Sequence, residues 1–260
     1  MPIGKVKISA CIITFNEEKN VRECLESVSW ADEIVVVDSF SADATVQICR
    51  QYTDRVVQHP WEGHVAQKNV ALNLATHDWV MCIDADERIS DALTEQIHRE
   101  LQKSPVPCDG YFFPRRTFYL GRWIKHGGWY PDYKLRLFRK SKGRWGGVDP
   151  HDEVMLDGTA QYLSAPLDHV TYRNIAHHVA TINAYTDISA EQKIRAHAKF
   201  PRFHLLLNPV AKFFTMYFLR GGFLDGVPGF IVAASGSFYV FLKYAKLWEK
   251  RALLASKETK

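Results

Sequence analysis

Three signatures are missing from the 260 residues. There is no Cys-x-x-Cys pair. Cys11, Cys24, Cys49, Cys82 and Cys108 are odd in number and widely spaced, which argues against a zinc ribbon or a disulfide framework and for small core residues of a reduced, cytosolic protein. The turn Thr14-Phe15-Asn16-Glu17-Glu18, after the first apolar run, holds no glycine. A Gly-x-Gly-x-x-Gly dinucleotide turn is therefore excluded, and a Walker phosphate loop is absent too. The apolar run after Lys5 and Lys7 is too short for a secretory h-region, so no export signal is expected. No internal repeat or low-complexity segment interrupts the chain.

What is present suffices for a large core. With 47% hydrophobic and 13% aromatic residues, the chain can bury one α/β core or one core plus an appendage, and a charged fraction of 24% is ordinary. The formal net charge of +4 hides an asymmetry: residues 191–260 carry twelve Lys/Arg against four Asp/Glu, a balance of +8, which leaves −4 for residues 1–190. A basic tail fits either nucleic acid or an anionic membrane, and its neighbours must arbitrate.

The first hundred residues alternate strand and helix. Strands are expected over 7–13, 33–37, 55–58 and 79–83. Helices are expected over 18–30, striped by Val21, Cys24, Leu25 and Val28; from Asp43 through Tyr52; over 64–75, striped by Ala66, Val70 and Leu74; and after Ser90, striped by Leu93, Ile97 and Leu101. Repeated βα units imply a parallel, right-handed, nucleotide-binding half-sheet. Trp79–Ile83 is apolar throughout, as in a strand covered on both faces, and ends in Asp84-Ala85-Asp86-Glu87 at the carboxyl end, where open α/β sheets bind ligands. Spaced two apart in extended backbone, Asp84 and Asp86 would project to one side and reach one hard cation that also holds phosphate oxygens. Asp38 at the end of the second strand could accept from a base or ribose, with Thr14 and Asn16 lining the end of the first.

Thr14-Phe15-Asn16-Glu17-Glu18, Val35-Val36-Val37-Asp38-Ser39-Phe40-Ser41-Ala42-Asp43-Ala44-Thr45, Gln67-Lys68-Asn69 and Asp84-Ala85-Asp86-Glu87, in that order, resemble the successive signatures of family 2 glycosyltransferases. Trp129-Tyr130-Pro131-Asp132, Leu135-Arg136-Leu137-Phe138-Arg139, His151-Asp152-Glu153 and His169-x-x-Tyr172-Arg173 extend the resemblance to the branch that glucosylates the inner core of bacterial lipopolysaccharide. The resemblance implies a GT-A (nucleotide-diphosphosugar transferase) mixed sheet flanked by helices. It implies inverting transfer of glucose or another hexose from a UDP-sugar, with Mg²⁺ or Mn²⁺, to a lipid-linked saccharide acceptor. Expected donor-binding residues are Thr14, Asn16, Glu17, Asp38, Asp43, Lys68, Asp84 and Arg136. Metal ligands are expected among Asp84, Asp86, His151 and His169.

The base should come from the second half. Where relatives have His-Glu, this chain has His151-Asp152 and then Glu153; counting back from Gly158 favours Asp152 over Glu153, with Asp132 third. Trp129, flanked by glycines and a proline, and Asp132 are expected at the acceptor. The expected division is a catalytic domain over 1–185, split at 102/103 into nucleotide-binding and acceptor halves, and a helical tail over 186–260.

In that tail, Gly226–Leu242 is an uncharged run followed by Lys243, Lys246, Lys250 and Arg251 with Tyr244 and Trp248 between them. Residues 203–251 therefore read as an element lying on an anionic membrane surface, peripheral on the cytoplasmic face of the inner membrane. A helical hairpin packed on the sheet or a homodimer interface would use the same residues. Long apolar runs separate the tail's charges, so no nucleic-acid partner is expected. A polyprenyl-phosphate acceptor and a non-catalytic scaffold are the competing readings.

Overall fold

The structure, a computed structural model, describes residues 6–148, 151–196 and 203–258. The elements run β1 (Ile8–Thr14), α1 (Val21–Ser27), β2 (Glu33–Asp38), α2 (Thr45–Cys49), β3 (Val56–Gln58), α3 (His64–Leu74), β4 (Trp79–Asp84), β5 (Glu87–Ile89), α4 (Asp91–Leu101), β6 (Gly110–Tyr119) and β7 (Arg122–Trp123). They continue with β8 (Asp132–Arg139), β9 (Gly143–Val148), β10 (His151–Leu156), β11 (Ala160–Tyr162), β12 (Leu167–His169), α5 (Ile175–Arg195), α6 (His204–Phe214) and α7 (Gly226–Glu258). The chain divides into two compact units: one holds the residues up to Arg116 together with Pro131–Thr171, the other Thr117–Tyr130 together with the residues from Tyr172 onward. The expected boundary at 185/186 falls inside the continuous helix α5.

In the first unit the strands lie in the order β3-β2-β1-β4-β8-β6-β12-β5. Strands β3, β2, β1 and β4 are parallel, as expected from the βα alternation, whereas β8 joins β4 antiparallel and makes the sheet mixed. The pleat sorts the apolar residues. Ile8, Ala10 and Ile12 of β1 and Met81 and Ile83 of β4 pack with Val21, Leu25 and Val28 of α1 and with Leu93, Ile97 and Leu101 of α4. Their alternates Cys11, Val80 and Cys82 pack on the other face, with Ala71 and Leu72 of α3 and Trp145 of β9. Each such fully buried side chain contributes about 1.5–3 kcal/mol of transfer free energy. Cys11 and Cys82 are direct partners on the two central strands, and all five cysteines are free and buried.

Ser90 caps α4, accepting from Leu93 N at 3.3 Å, as its sequence position implies. The fully buried side of α3 is Gln67, Lys68, Ala71 and Leu72, with Val70 and Leu74 of the expected stripe packed half-buried at its margin. Two polar residues turn inward because each meets a partner there: Gln67 donates to Ser39 Oγ at 2.8 Å, and Lys68 meets two carboxylates.

The second unit is built on α5, α6 and α7, with β7 and the end of β6. Asp225 is buried beside the start of α7 and accepts from the backbone N–H of Lys125 and His126 at 3.0 and 2.8 Å. A Cβ on Gly229 would lie 2.0 Å from the Gly222 carbonyl oxygen, so this first turn of α7 packs at backbone distance and only glycine fits. Tyr119, Trp129, Tyr172 and His178 form an aromatic cluster, in which the Tyr119 hydroxyl bonds His178 Nδ1 at 2.8 Å. Burial, then the neighbouring His177, pushes His178 down to about 4.

Candidate active site

Five elements, α3, β4, β6, β8 and β10, deliver charge to one cavity of about 400 Å³ in the first unit. From α3, Lys68 Nζ lies 2.9 Å from Asp84 Oδ1 at the end of β4 and 2.8 Å from Asp152 Oδ2 on β10. From β8, Arg136 Nη2 reaches Asp84 Oδ2 and Glu87 Oε1, both at 2.7 Å. Arg115 of β6 continues the chain, 3.3 Å from Glu87 and 2.7 Å from Asp132, and Lys134 closes it 3.1 Å from the other oxygen of Asp132. Trp145 floors the cavity, with Lys68 Nζ 4.5 Å from its ring centroid. Burial works to raise the pKa of Asp84, but Lys68 and Arg136 outweigh it and hold the carboxyl well below the usual range.

Strand β10 explains the choice between the two candidate bases. Its side chains alternate, so Asp152, Val154 and Leu156 are half-buried while Glu153 and Met155 are exposed. Asp152 is thus the acid that engages Lys68, and Glu153 lies at the cavity's edge.

Asp84 and Asp86 do not sit in extended backbone. Strand β4 ends at Asp84, a turn carries Ala85 and Asp86, and β5 begins at Glu87. The expectation of two parallel carboxylates is therefore corrected: Asp84 is held by two cations, whereas Asp86 Oδ2 pairs with His169 Nε2 at 3.2 Å. Strand β12 brings His169 there by pairing with β5, His169 opposite Glu87, and Val170 N donates to the Asp86 carbonyl at 2.9 Å. Burial works to raise the Asp86 pKa and His169 overcomes it, leaving it lowered. The side chain of His151, the other expected metal ligand, lies outside the described residues. Among the described residues no three His, Cys, Asp or Glu side chains converge as a metal cluster.

A smaller recess of about 150 Å³ is lined by Ile13, Thr14, Phe15, Glu17, Trp61, Asp84 and Asp86, at the ends of β1 and β4. Asp38 does not open into it. It is fully buried, accepting from Thr14 Oγ1 at 3.0 Å, Ser41 N at 2.9 Å and Gln58 Nε2 at 3.4 Å. Its carboxylate orders the loop after β2. Asp43 is likewise a loop brace, accepting from Thr45 N at 3.0 Å and Glu18 N at 3.2 Å. Asn16, in the left-handed region at φ 55°, receives Ala42 N at 2.9 Å. Trp129 belongs to the second unit's aromatic cluster, and Asp132 to the first unit's ion chain. Glu87, which is fully buried, and Arg115 continue the chain from Arg136 to Asp132 and were not singled out from sequence, where Glu87 stands between Asp86 and Arg88 with nothing to mark it as buried.

The family model for glycosyl transferase family 2 matches residues 9–155. The chain is 33% identical to the lipopolysaccharide core biosynthesis glycosyltransferase LpsC of Rhizobium meliloti, over 97% of this chain and 96% of that protein. It is 31% identical to an uncharacterized glycosyltransferase of Rickettsia felis over 96% of this chain and 92% of the relative. Among solved structures, the mannosyltransferase PcManGT from Pyrobaculum calidifontis, in complex with GDP-Man and Mn²⁺, superposes with a TM-score of 0.59 at 16% identity, covering 95% of this chain and 88% of that one. With its acid-tipped β4, mixed sheet and apolar carboxyl-terminal helix, the chain belongs to glycosyl transferase family 2 and is a glycosyltransferase of the GT-A fold.

Proposed function

We propose that the protein transfers a hexose, with inversion, from a UDP-sugar to a saccharide of the lipopolysaccharide core. The observation that carries the reading is the meeting of Lys68, Arg136, Asp84 and Asp152 in one cavity at the carboxyl end of β4. A departing diphosphate needs positive charge, which Lys68 and Arg136 bring to the cavity from buried positions. An acceptor hydroxyl needs a carboxylate, and Asp152 takes its proton as the acceptor oxygen bonds the anomeric carbon and the bond from that carbon to the diphosphate breaks. The core acceptor follows LpsC, which the chain matches end to end.

Asp86 and His169 would hold the divalent cation. A carboxylate oxygen and an imidazole nitrogen 3.2 Å apart at a strand end fit Mg²⁺ or Mn²⁺, which keep most of their coordination sites for water and substrate phosphates. When bound, such an ion neutralises the leaving diphosphate as a Lewis acid. Calorimetric titration of UDP with Mn²⁺ and with EDTA tests this. Binding should require the metal and be weakened by Asp86→Ala. Equal binding in both buffers would remove the metal from the reading, and no binding in either would remove the UDP-sugar.

Residues 203–251 would place the enzyme on the cytoplasmic face of the inner membrane. Leu206, Leu219, Val227 and Phe230 stay exposed along α6, the turn after it and the start of α7, Leu219 at 82%. The helical stretch Gly222–Leu253 is long and apolar enough to cross a bilayer and is 22% buried over its most apolar window. Lys212, Arg220 and Lys243 lie in the same hairpin, suited to anionic lipid headgroups. Co-sedimentation with phosphatidylglycerol vesicles but not with phosphatidylcholine ones is expected; indifference to lipid charge would refute the electrostatic part.

A further inference from the structure

Beside the charged cavity, three aromatic rings gather on the first unit's surface. Tyr162 of β11 stacks on Phe112 of β6, centroids 4.7 Å apart and planes 14° apart, because the two residues are register partners in parallel strands. Tyr133 of β8 meets Tyr162 edge-on at 4.8 Å. Phe112 and Tyr133 line the cavity that also holds Asp152, while Tyr162 is 63% and Tyr133 42% exposed. Single exposed aromatics are ordinary, but a ring cluster continuous with a charged cavity is a binding surface.

We propose that Phe112, Tyr133 and Tyr162 form the acceptor subsite and that it takes an uncharged pyranose ring. The inference rests on the glycosyl-transfer reading above and adds the class of sugar. An aromatic face packs against the C–H face of a pyranose, leaving the ring hydroxyls to polar neighbours. Those neighbours are ion pairs, not free charges. Lys68 is balanced by Asp84 and Asp152, Arg136 by Asp84 and Glu87, Arg115 by Glu87 and Asp132, and Lys134 by Asp132. Lys68 and Arg136 serve the donor diphosphate in that reading, and of the described cations beside the rings, Arg115 and Lys134 are each held by carboxylates, so neither is left over for a phosphate or carboxylate on the acceptor sugar. Paired carboxylates and ammonium groups still accept from and donate to hydroxyls, so the Asp132–Lys134 pair, 3.1 Å apart and partly exposed, suits a neutral polyol. Tyr162, the most open of the three rings, is a binding residue here and takes no part in proton transfer.

Saturation-transfer NMR on the full chain, without nucleotide or metal, provides the test. Methyl α-glucopyranoside and methyl α-mannopyranoside are the probes, with glucose 6-phosphate as the charged comparison. The neutral glycosides should bind, and the phosphorylated sugar should bind no more tightly. Tyr162→Ala should weaken glycoside binding about tenfold, the upper end of a single aromatic contact, while Tyr162→Trp retains it. Tyr162 is exposed, so both variants should fold, and UDP titration of each should match the parent. The proposal is overturned if Tyr162→Ala binds the glycosides as the parent does, or if the parent shows no transfer to them. Preference for glucose 6-phosphate, or a change in sedimentation coefficient in Tyr162→Ala that marks the shelf as a self-association surface, overturns it equally. Because the glycoside assay contains no donor, a failed UDP titration leaves this result standing, and the reverse also holds.

Discussion

Replacing Arg136 with Met removes the central cation of the ion chain. Arg136 is 4% exposed and Glu87 not at all, so the pair they form at 2.7 Å is a buried one. Breaking a buried pair from one side costs roughly 3–5 kcal/mol, because the surviving charge stays desolvated. Two contacts moderate this: Arg115 stands 3.3 Å from Glu87, and Asp84 N donates to the other Glu87 oxygen at 3.1 Å. Asp84 also keeps Lys68. The expected loss is therefore about 3 kcal/mol, a large part of the 5–15 kcal/mol that holds an ordinary domain folded. Urea denaturation followed by tryptophan fluorescence reads it directly; at an m value of about 3 kcal/mol/M the midpoint falls by roughly 1 M. Arg136→Met with Glu87→Gln should recover much of the loss, since the stranded charge is gone. A single-variant loss below about 1 kcal/mol, or a double variant as poor as the sum of the two singles, would refute the reasoning.

Asp152→Asn should lower transfer by about 10²–10⁴-fold, the usual worth of a general base, and leave UDP affinity within a small factor, whereas Glu153→Gln should leave both nearly unchanged. Reversed behaviour of the two variants in a UDP-release assay would move the base to Glu153. His178 titrates at about 4 in the folded chain against about 6.5 for an unperturbed imidazole. The unfolded chain therefore binds more protons between those values, and stability should rise with pH from about 4 to about 6.5. His178→Phe should flatten that part of the curve of urea midpoint against pH; an unchanged slope would show that other groups set it.

The parallel half of the sheet was legible because apolar runs and 3.6-period stripes name their own geometry: α1 to α4 and β3 lie within the expected stretches, and β1, β2 and β4 each run one residue past theirs, to Thr14, Asp38 and Asp84. The antiparallel half was not. Strand β6 is interrupted by Pro114 and β9 by Gly146 and Gly147, β10 to β12 are short, and their partners, like those of β8, are fixed by tertiary pairing instead of local pattern. The same divide runs through the site. Asp84 and Lys68 could be picked out at strand and helix positions, but their union with Arg136 and Asp152 depends on β8 and β10, so no spacing announces it. The turn after Asp84 likewise separates two carboxylates that an extended backbone would have aligned. Asp38 is a strand-end acid in the expected place, but its enclosure by Thr14 at the end of β1 and Ser41 of the following loop was not legible. The tail was legible as apolar and basic, and residue 185 lies inside the helix α5.

The buried cysteines have a practical consequence. Because Cys11, Cys24, Cys49, Cys82 and Cys108 all lie inside the first unit and none is more than 5% exposed, a maleimide dye added to the intact protein meets no open sulfur there. Its incorporation becomes a clock for opening of the core: Cys108, beside the first residues of β6, can report local fraying, whereas Cys11 and Cys82, side by side on β1 and β4 beneath α3 and Trp145, are modified only when that cover lifts. Labelling rates site by site, with and without UDP, would measure how far a donor clamps the enzyme shut, with no engineered probe.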